Sequence, residues 1–221
     1  MADQGEDSSP FEFVLGQIDL PRQFREQYLL TRGSGNRVIL EGKMHRVWRR
    51  GRWLWPLFWL AARFEMLFPE TGRDVPTLVE ITSGNWRGEP LQTWRRTFRF
   101  PNEHRRFTSR MAYDERIGRI VELVGPGAVL GVVWEIRFEA PRTLRLGADE
   151  WVLRLGPRRL RLPAWLMGTG RAVETADDSA DDVIHIDLTL AHPLLGDVFG
   201  YEGTFRVRRE NLVTDRTAAH E

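Results

Sequence analysis

The stretch AVLGVVWEIRFEA, Ala128 to Ala140, decides the fold. Leu130, Val132, Trp134, Ile136 and Phe138 take alternate positions, opposite Glu135, Arg137 and Glu139. Successive side chains of a strand point to opposite faces, so this segment reads as a strand half in a core and half in water. A helical stripe would recur about every 3.6 residues instead.

The same period appears on both sides of it. Upstream, NRVILEGKMHRVW alternates from Asn36, with Arg46 interrupting an apolar row that includes Val38, Leu40, Met44 and Trp48. LQTWRRTFRF puts Trp94, Arg96, Phe98 and Phe100 on one face, and RFTSRMAYD does so for Phe107, Ser109, Met111 and Tyr113. IGRIVELVG joins Ile120, Glu122 and Val124. Downstream, EWVLRL and RRLRLP flank a hairpin turn, and VIHIDLTL and FGYEGTFRVRR close the series. Short strands with regular turns imply an antiparallel meander, and a long meander curls into a barrel or bent sheet. Near the N-terminus, DLPRQFREQYLLTRG reads as a short helix with Asp19 as cap and Phe24, Tyr28 and Leu29 on its inner face. The fold class is therefore α+β: a curved antiparallel sheet or β-barrel closed by one or two helices near the N-terminus.

A chain of 221 residues without cysteine can bury this core without disulfides. Residues 19–210 read as one domain, with residues 1–18 a loose acidic tail and 211–221 a loose C-terminal one. The acidic start lacks the features of a secretory leader, which suits a cytoplasmic protein. A net charge of +1 gives no field for nucleic acid, although all but one of the basic residues are arginine.

The run RVWRRGRWLWPLFWLAARFEMLFP, Arg46 to Pro69, stands apart. Its uninterrupted apolar part, Trp53 to Ala62, is about half of what a spanning helix needs. It reads as a helix over residues 53–68 whose face of Leu57, Leu60, Ala61, Phe64, Leu67 and Phe68 covers the sheet. Arg49, Arg50, Arg52, Trp53, Trp55 and Trp59 are then the candidate contacts to a membrane surface, a partner protein or another subunit.

On the inner face of the sheet, a few polar side chains join the apolar ones: Arg96, Ser109, Glu122 and Tyr201. Buried charges need partners, so Arg96 and Glu122 either pair as a salt bridge or hold the polar head of an apolar ligand. Inward Gly42 and Gly203 leave room for a neighbour or a ligand. The acidic run ETADDSADD lacks the spacing of a calcium loop and reads as an exposed loop. Histidines are scattered, no metal-binding pair occurs, and GPGAVLG leads into a strand rather than a helix. Neither a cofactor, a metal nor a catalytic set is indicated.

In order along the chain stand Trp94, Arg96 and Phe98; Phe107 and Ser109; VELVGP from Val121; Leu162 and Pro163; HPLLG from His192; and Tyr201 with Gly203. This succession resembles an uncharacterised bacterial family, domain of unknown function 4166, over about Leu20 to Arg209. Members are often fused behind a saccharopine-dehydrogenase-like NAD(P)-binding domain, which implies an oxidoreductase partner for a stand-alone version. The resemblance carries no activity. Its motif positions coincide with the inward set, and the tryptophan density of residues 51–64 departs from it.

Three functions follow as expectations. The leading one is binding of a small apolar or lipid-like ligand through Trp94, Arg96, Phe98, Ser109, Glu122 and Tyr201. The second is an isomerase or hydrolase with Glu122 as acid–base and Arg96 or Tyr201 at an oxyanion. The third is a non-catalytic module docking on an oxidoreductase.

Overall fold

The computed structural model describes residues 8–31, 36–86, 88–155 and 158–211. Eleven strands dominate: β1 (Asn36–Arg49), β2 (Gly72–Trp86), β3 (Glu89–Arg99), β4 (His104–Asp114), β5 (Arg119–Val124), β6 (Leu130–Glu139), β7 (Thr143–Leu155), β8 (Arg158–Leu162), β9 (Thr169–Ala176), β10 (Val183–His192) and β11 (Gly196–Asn211). Four short α-helices accompany them, two ahead of β1, namely α1 (Glu12–Leu15) and α2 (Arg22–Tyr28), and two between strands, α3 (Trp55–Ala62) and α4 (Ala164–Met167).

Every pairing is antiparallel. β1 to β7 form a meander, β9 to β11 a second one, and the joins β1–β11 and β7–β9 close a ring of ten strands. Closure satisfies the edge groups that an open sheet would expose. β8 stands outside the ring, paired to β7 alone. The exit point is a bulge: Val133 faces Glu150 and Trp134 faces Ala148, so Asp149 is the extra residue. Before it β7 pairs with β9; beyond it β7 pairs with β8 and folds over the barrel's outer wall. There Val152 packs with Val121, Leu123 and Val133, and Arg159 pairs with Asp114.

A second bulge explains why Arg46 breaks the apolar row of β1. The register with β11 slips between Met44 and Arg46, so buried Val47 follows Met44 on the inside and Arg46 turns outward. Gly42 and Gly203 serve this seam rather than a ligand. A Cβ on Gly42 would fall 2.0 Å from the Thr204 carbonyl oxygen, and one on Gly203 would fall 2.8 Å from the Met44 sulfur.

The helices close the two ends in different ways. At one end α1 and α2 plug the ring with Phe11, Leu15, Phe24, Tyr28 and Leu30, all buried. Phe11 meets Tyr28 edge-on at 4.8 Å, and Trp94 lies 5.5 Å from Tyr28. The plug's backbone is tied down by side chains. Gln92 donates to the Tyr28 carbonyl at 2.8 Å, Ser9 Oγ to the same oxygen at 2.5 Å, and Gln23 to the Ala180 carbonyl at 3.0 Å. Within residues 8–18, expected as part of a loose tail, Ser9, Phe11 and Leu15 are buried, because Phe11 and Leu15 fill the barrel mouth. Residues 1–7 and 212–221 lie outside the described residues.

At the other end the tryptophan-rich run forms a short 3-10 turn (Arg52–Leu54) and then α3, ending well before residue 68. The expected inner face is not the one observed. Leu57, Leu60 and Phe64 are exposed, and the side that packs inward carries Leu54 and Phe58. Phe58 stacks on Phe199 at 5.7 Å. A helix apolar all round has no periodic stripe from which its buried face could be read. After α3 the chain turns back across the mouth, where Thr108 N–H and Oγ1 donate to Glu65 at 3.0 and 2.6 Å. Phe68 then packs between Phe98 and Phe199.

Candidate functional site

Ring closure brings inward side chains of distant strands into one lumen. Between the plug and the returning segment at Met66 and Leu67 it keeps a cavity of ≈ 120 Å³, room for several waters or a small organic group. The walls are overwhelmingly apolar. Ile136, Leu146, Ile186, Leu188 and Leu190 face it and remain only partly buried.

Four polar residues step diagonally across β3, β4, β5 and β6. Arg96 is opposite Phe107, Ser109 opposite Val124, and Glu122 opposite Val132, so each polar side chain lies two residues from its neighbour's cross-strand partner. Diagonal neighbours of this kind are within reach of long side chains. Arg96 Nη1 donates to Ser109 Oγ at 3.0 Å and lies 3.7 Å from Glu122 Oε1. Trp134 Nε1 donates to Glu122 Oε2 at 2.8 Å. The guanidinium is also flanked by two rings, with Trp94 at 5.2 Å and Phe107 at 4.8 Å. Glu122 Oε1 is buried and accepts no hydrogen bond.

A second carboxyl faces the same lumen. Glu174 on β9 accepts from Gln27 Nε2 at 3.0 Å and bonds the Tyr28 hydroxyl, both from α2. Burial lifts its pKa to about 7, against the opposing pull of those two hydrogen bonds and of Arg96. Burial likewise raises Tyr28, and it pushes Tyr201 to about 12 despite Arg96. Both phenols are therefore neutral hydrogen-bonding groups at physiological pH.

Of the six expected ligand contacts, Trp94, Arg96, Glu122 and Tyr201 line the cavity. Ser109 stands behind Arg96 as its partner, and Phe98 belongs to the core, 4.7 Å from Phe68. Glu174 opens the acidic run expected as a loop, but the strand continues to Ala176 and the loop begins after it. Its only sequence signal is the alternation Ala172, Glu174, Ala176, too small-sided to stand out. Trp134, by alternation part of the apolar wall, also supplies through its N–H the donor that Glu122 uses.

The expected surface set also divides. Arg49 is committed to the loop, donating to the Pro69 carbonyl at 3.1 Å and to the Gly51 carbonyl. Arg50, Arg52, Trp53, Trp55 and Trp59 are exposed. Among the described residues no cluster of three metal-ligating side chains occurs, and no helix is long and apolar enough to cross a membrane.

These features define a ten-stranded antiparallel β-barrel, plugged at one end, with a mainly apolar lumen and a buried polar ladder. Residues 20–205 match the model of the family described as domain of unknown function 4166, and the chain belongs to that family. A curated relative is the uncharacterized protein YndH of Bacillus subtilis (strain 168), 32% identical over 150 residues, which are 66% of this chain and 72% of that one.

Proposed function

We propose that the barrel binds a small apolar or lipid-like molecule in its lumen, with the tail on the partly buried aliphatic wall and the polar end at the Arg96–Glu122 ladder. The observation that supports this most is the unfilled apolar space itself. Native cores pack to about 0.75 of their volume, whereas inward Ile186, Leu188 and Leu190 on β10 still carry accessible surface. Sites for small molecules have this composition: apolar walls with a few convergent polar groups.

The acid–base reading is weaker. Its candidate, Glu122, faces Arg96 at 3.7 Å and is held by Trp134. The carboxyl with a raised pKa is Glu174, and its hydrogen bonds fasten the plug to the wall. A role as a module docking on an oxidoreductase would leave the cavity without a use.

Native mass spectrometry of freshly purified protein, set against its denatured mass, tests the proposal. An excess mass lost on denaturation and recovered in an organic extract is the expected result. No excess mass, together with no uptake of the neutral dye Nile red, would sink it.

A further inference from the structure

We infer that the polar end of the lumen's ligand is a hydrogen-bond donor, a hydroxyl or an ammonium, seated on Glu122, and not a carboxylate. This rests on the binding reading above and sharpens it. Among the described residues Arg96 is the one guanidinium on the cavity wall, and it is already engaged: it donates to Ser109, faces Glu122, and lies between the rings of Trp94 and Phe107. A carboxylate head would have to displace these contacts. It would also enter a space that two carboxyl side chains, Glu122 and Glu174, already face. Like charges brought together in a dry site disfavour the ionised form, so an acid would bind only by taking up a proton.

The open valence is an acceptor. Glu122 Oε2 has the Trp134 N–H, and Oε1 is buried with no hydrogen bond. Leaving a buried charged acceptor unfilled is costly, and a donor from the ligand removes that cost. The phenols of Tyr28 and Tyr201, both on the cavity wall, can accept or donate to a second hydroxyl but add no positive charge.

Three ligands of equal chain length separate the cases: dodecanol, dodecylamine and dodecanoic acid, each displacing Nile red at mildly alkaline pH. The alcohol or the amine should act at a concentration about tenfold or more below that of the acid, the size of one charge-assisted hydrogen bond. In the Glu122→Gln variant the preference for the amine over the acid should shrink by about the same factor. The wild-type comparison stands if that variant does not fold. Tightest displacement by the acid would overturn the inference while leaving the binding reading intact. Failure of Nile red and all three ligands to enter would instead defeat the binding reading.

A separate observation concerns the outer rim, and from it we infer that the tryptophan end docks on an anionic bilayer surface. Three segments far apart in sequence expose apolar side chains at this one end of the ring. They are α3 and its lead-in (Trp53, 65% exposed, and Leu57, 63%), the β10–β11 turn (Leu194, 82%) and α4 (Trp165, 64%). Gly168, at the end of α4, abuts Ala191 of β10, and Arg50 N–H donates to the Val198 carbonyl of β11, so the three are neighbours on the rim. Charge complementarity selects the occupant. Arg46, Arg50, Arg52 and Arg63 are exposed among these aromatics and have no carboxylate partner among the described residues. Arginine interleaved with tryptophan suits the headgroup boundary, where the rings enter the interface and the cations meet lipid phosphate.

Flotation with phosphatidylcholine vesicles, with and without phosphatidylglycerol, reads this directly. Binding should rise about tenfold or more with the anionic lipid, fall with salt, and drop at least about tenfold in the triple variant Trp53→Ser, Trp55→Ser, Trp165→Ser. Absence of binding, or equal binding by the triple variant, would overturn it. Concentration-dependent dimerisation in sedimentation, abolished by that variant and without vesicle binding, would give the rim to a second copy instead.

Discussion

The two ends of the barrel are closed by helices of similar size and opposite character. At the plugged end α2 turns Phe24 and Tyr28 inward and ties its own polar groups to the wall through Gln23, Gln27 and Gln92. At the tryptophan end α3 buries Phe58 and leaves Trp55, Leu57, Trp59 and Leu60 in solvent. The first arrangement is what a domain does to finish its core. The second leaves apolar surface outside, and natural domains keep such patches small unless something covers them. One end is built for stability and the other is free to serve contact.

That contrast can be broken by experiment. The largest effect is expected at the plug: Phe24→Ala should cost about 3–5 kcal/mol in urea unfolding, whereas Leu57→Ala on α3 should stay within about 0.5 kcal/mol. Comparable losses at both positions would mean that α3 is as much core as α2. Next in size is the ladder. Arg96→Met leaves Glu122 buried without its cation and should cost about 3 kcal/mol or more; adding Glu122→Gln should recover much of it. Additive losses in that double-mutant cycle would show that the two side chains do not act as a pair.

A pH series tests the carboxyl that joins plug to wall. Glu174 titrates near 7 in the folded protein and near 4.5 when unfolded, so the native state holds the extra proton between those values. Stability from this group is therefore full below about pH 4.5 and declines as pH rises toward 7, by on the order of 3 kcal/mol in all. Glu174→Gln should flatten that slope, read as the urea midpoint across this range for both proteins. An unchanged slope would place the titration elsewhere. The smallest effect belongs to the rim: Trp53→Ser should leave the urea midpoint nearly unmoved, because an indole already in water has little burial to lose.

Much of this molecule is written in its period-two alternation. A strand's inward face can be read from one segment at a time, so Arg96, Glu122 and Tyr201 were recognisable as lumen residues before any pairing was known. The family follows from the order of the same landmarks. The seam bulge left a trace too, since Arg46 in an apolar row marks where the face changes sides. Glu174 escaped because its flanking alanines carry little hydrophobic signal, and α3 because apolar residues all around it left no phase to read.

What the sequence alone determined is thus the strand content, the inward polar set and the family. Tertiary structure decided who meets whom. Ring closure carries Glu174 to the plug's Gln27 and Tyr28, the bulge at Asp149 sends β8 outside, and the return of the chain at Glu65 turns the tryptophans outward. Alternation is a property of one strand, while register, closure and the exposed end depend on all ten strands together.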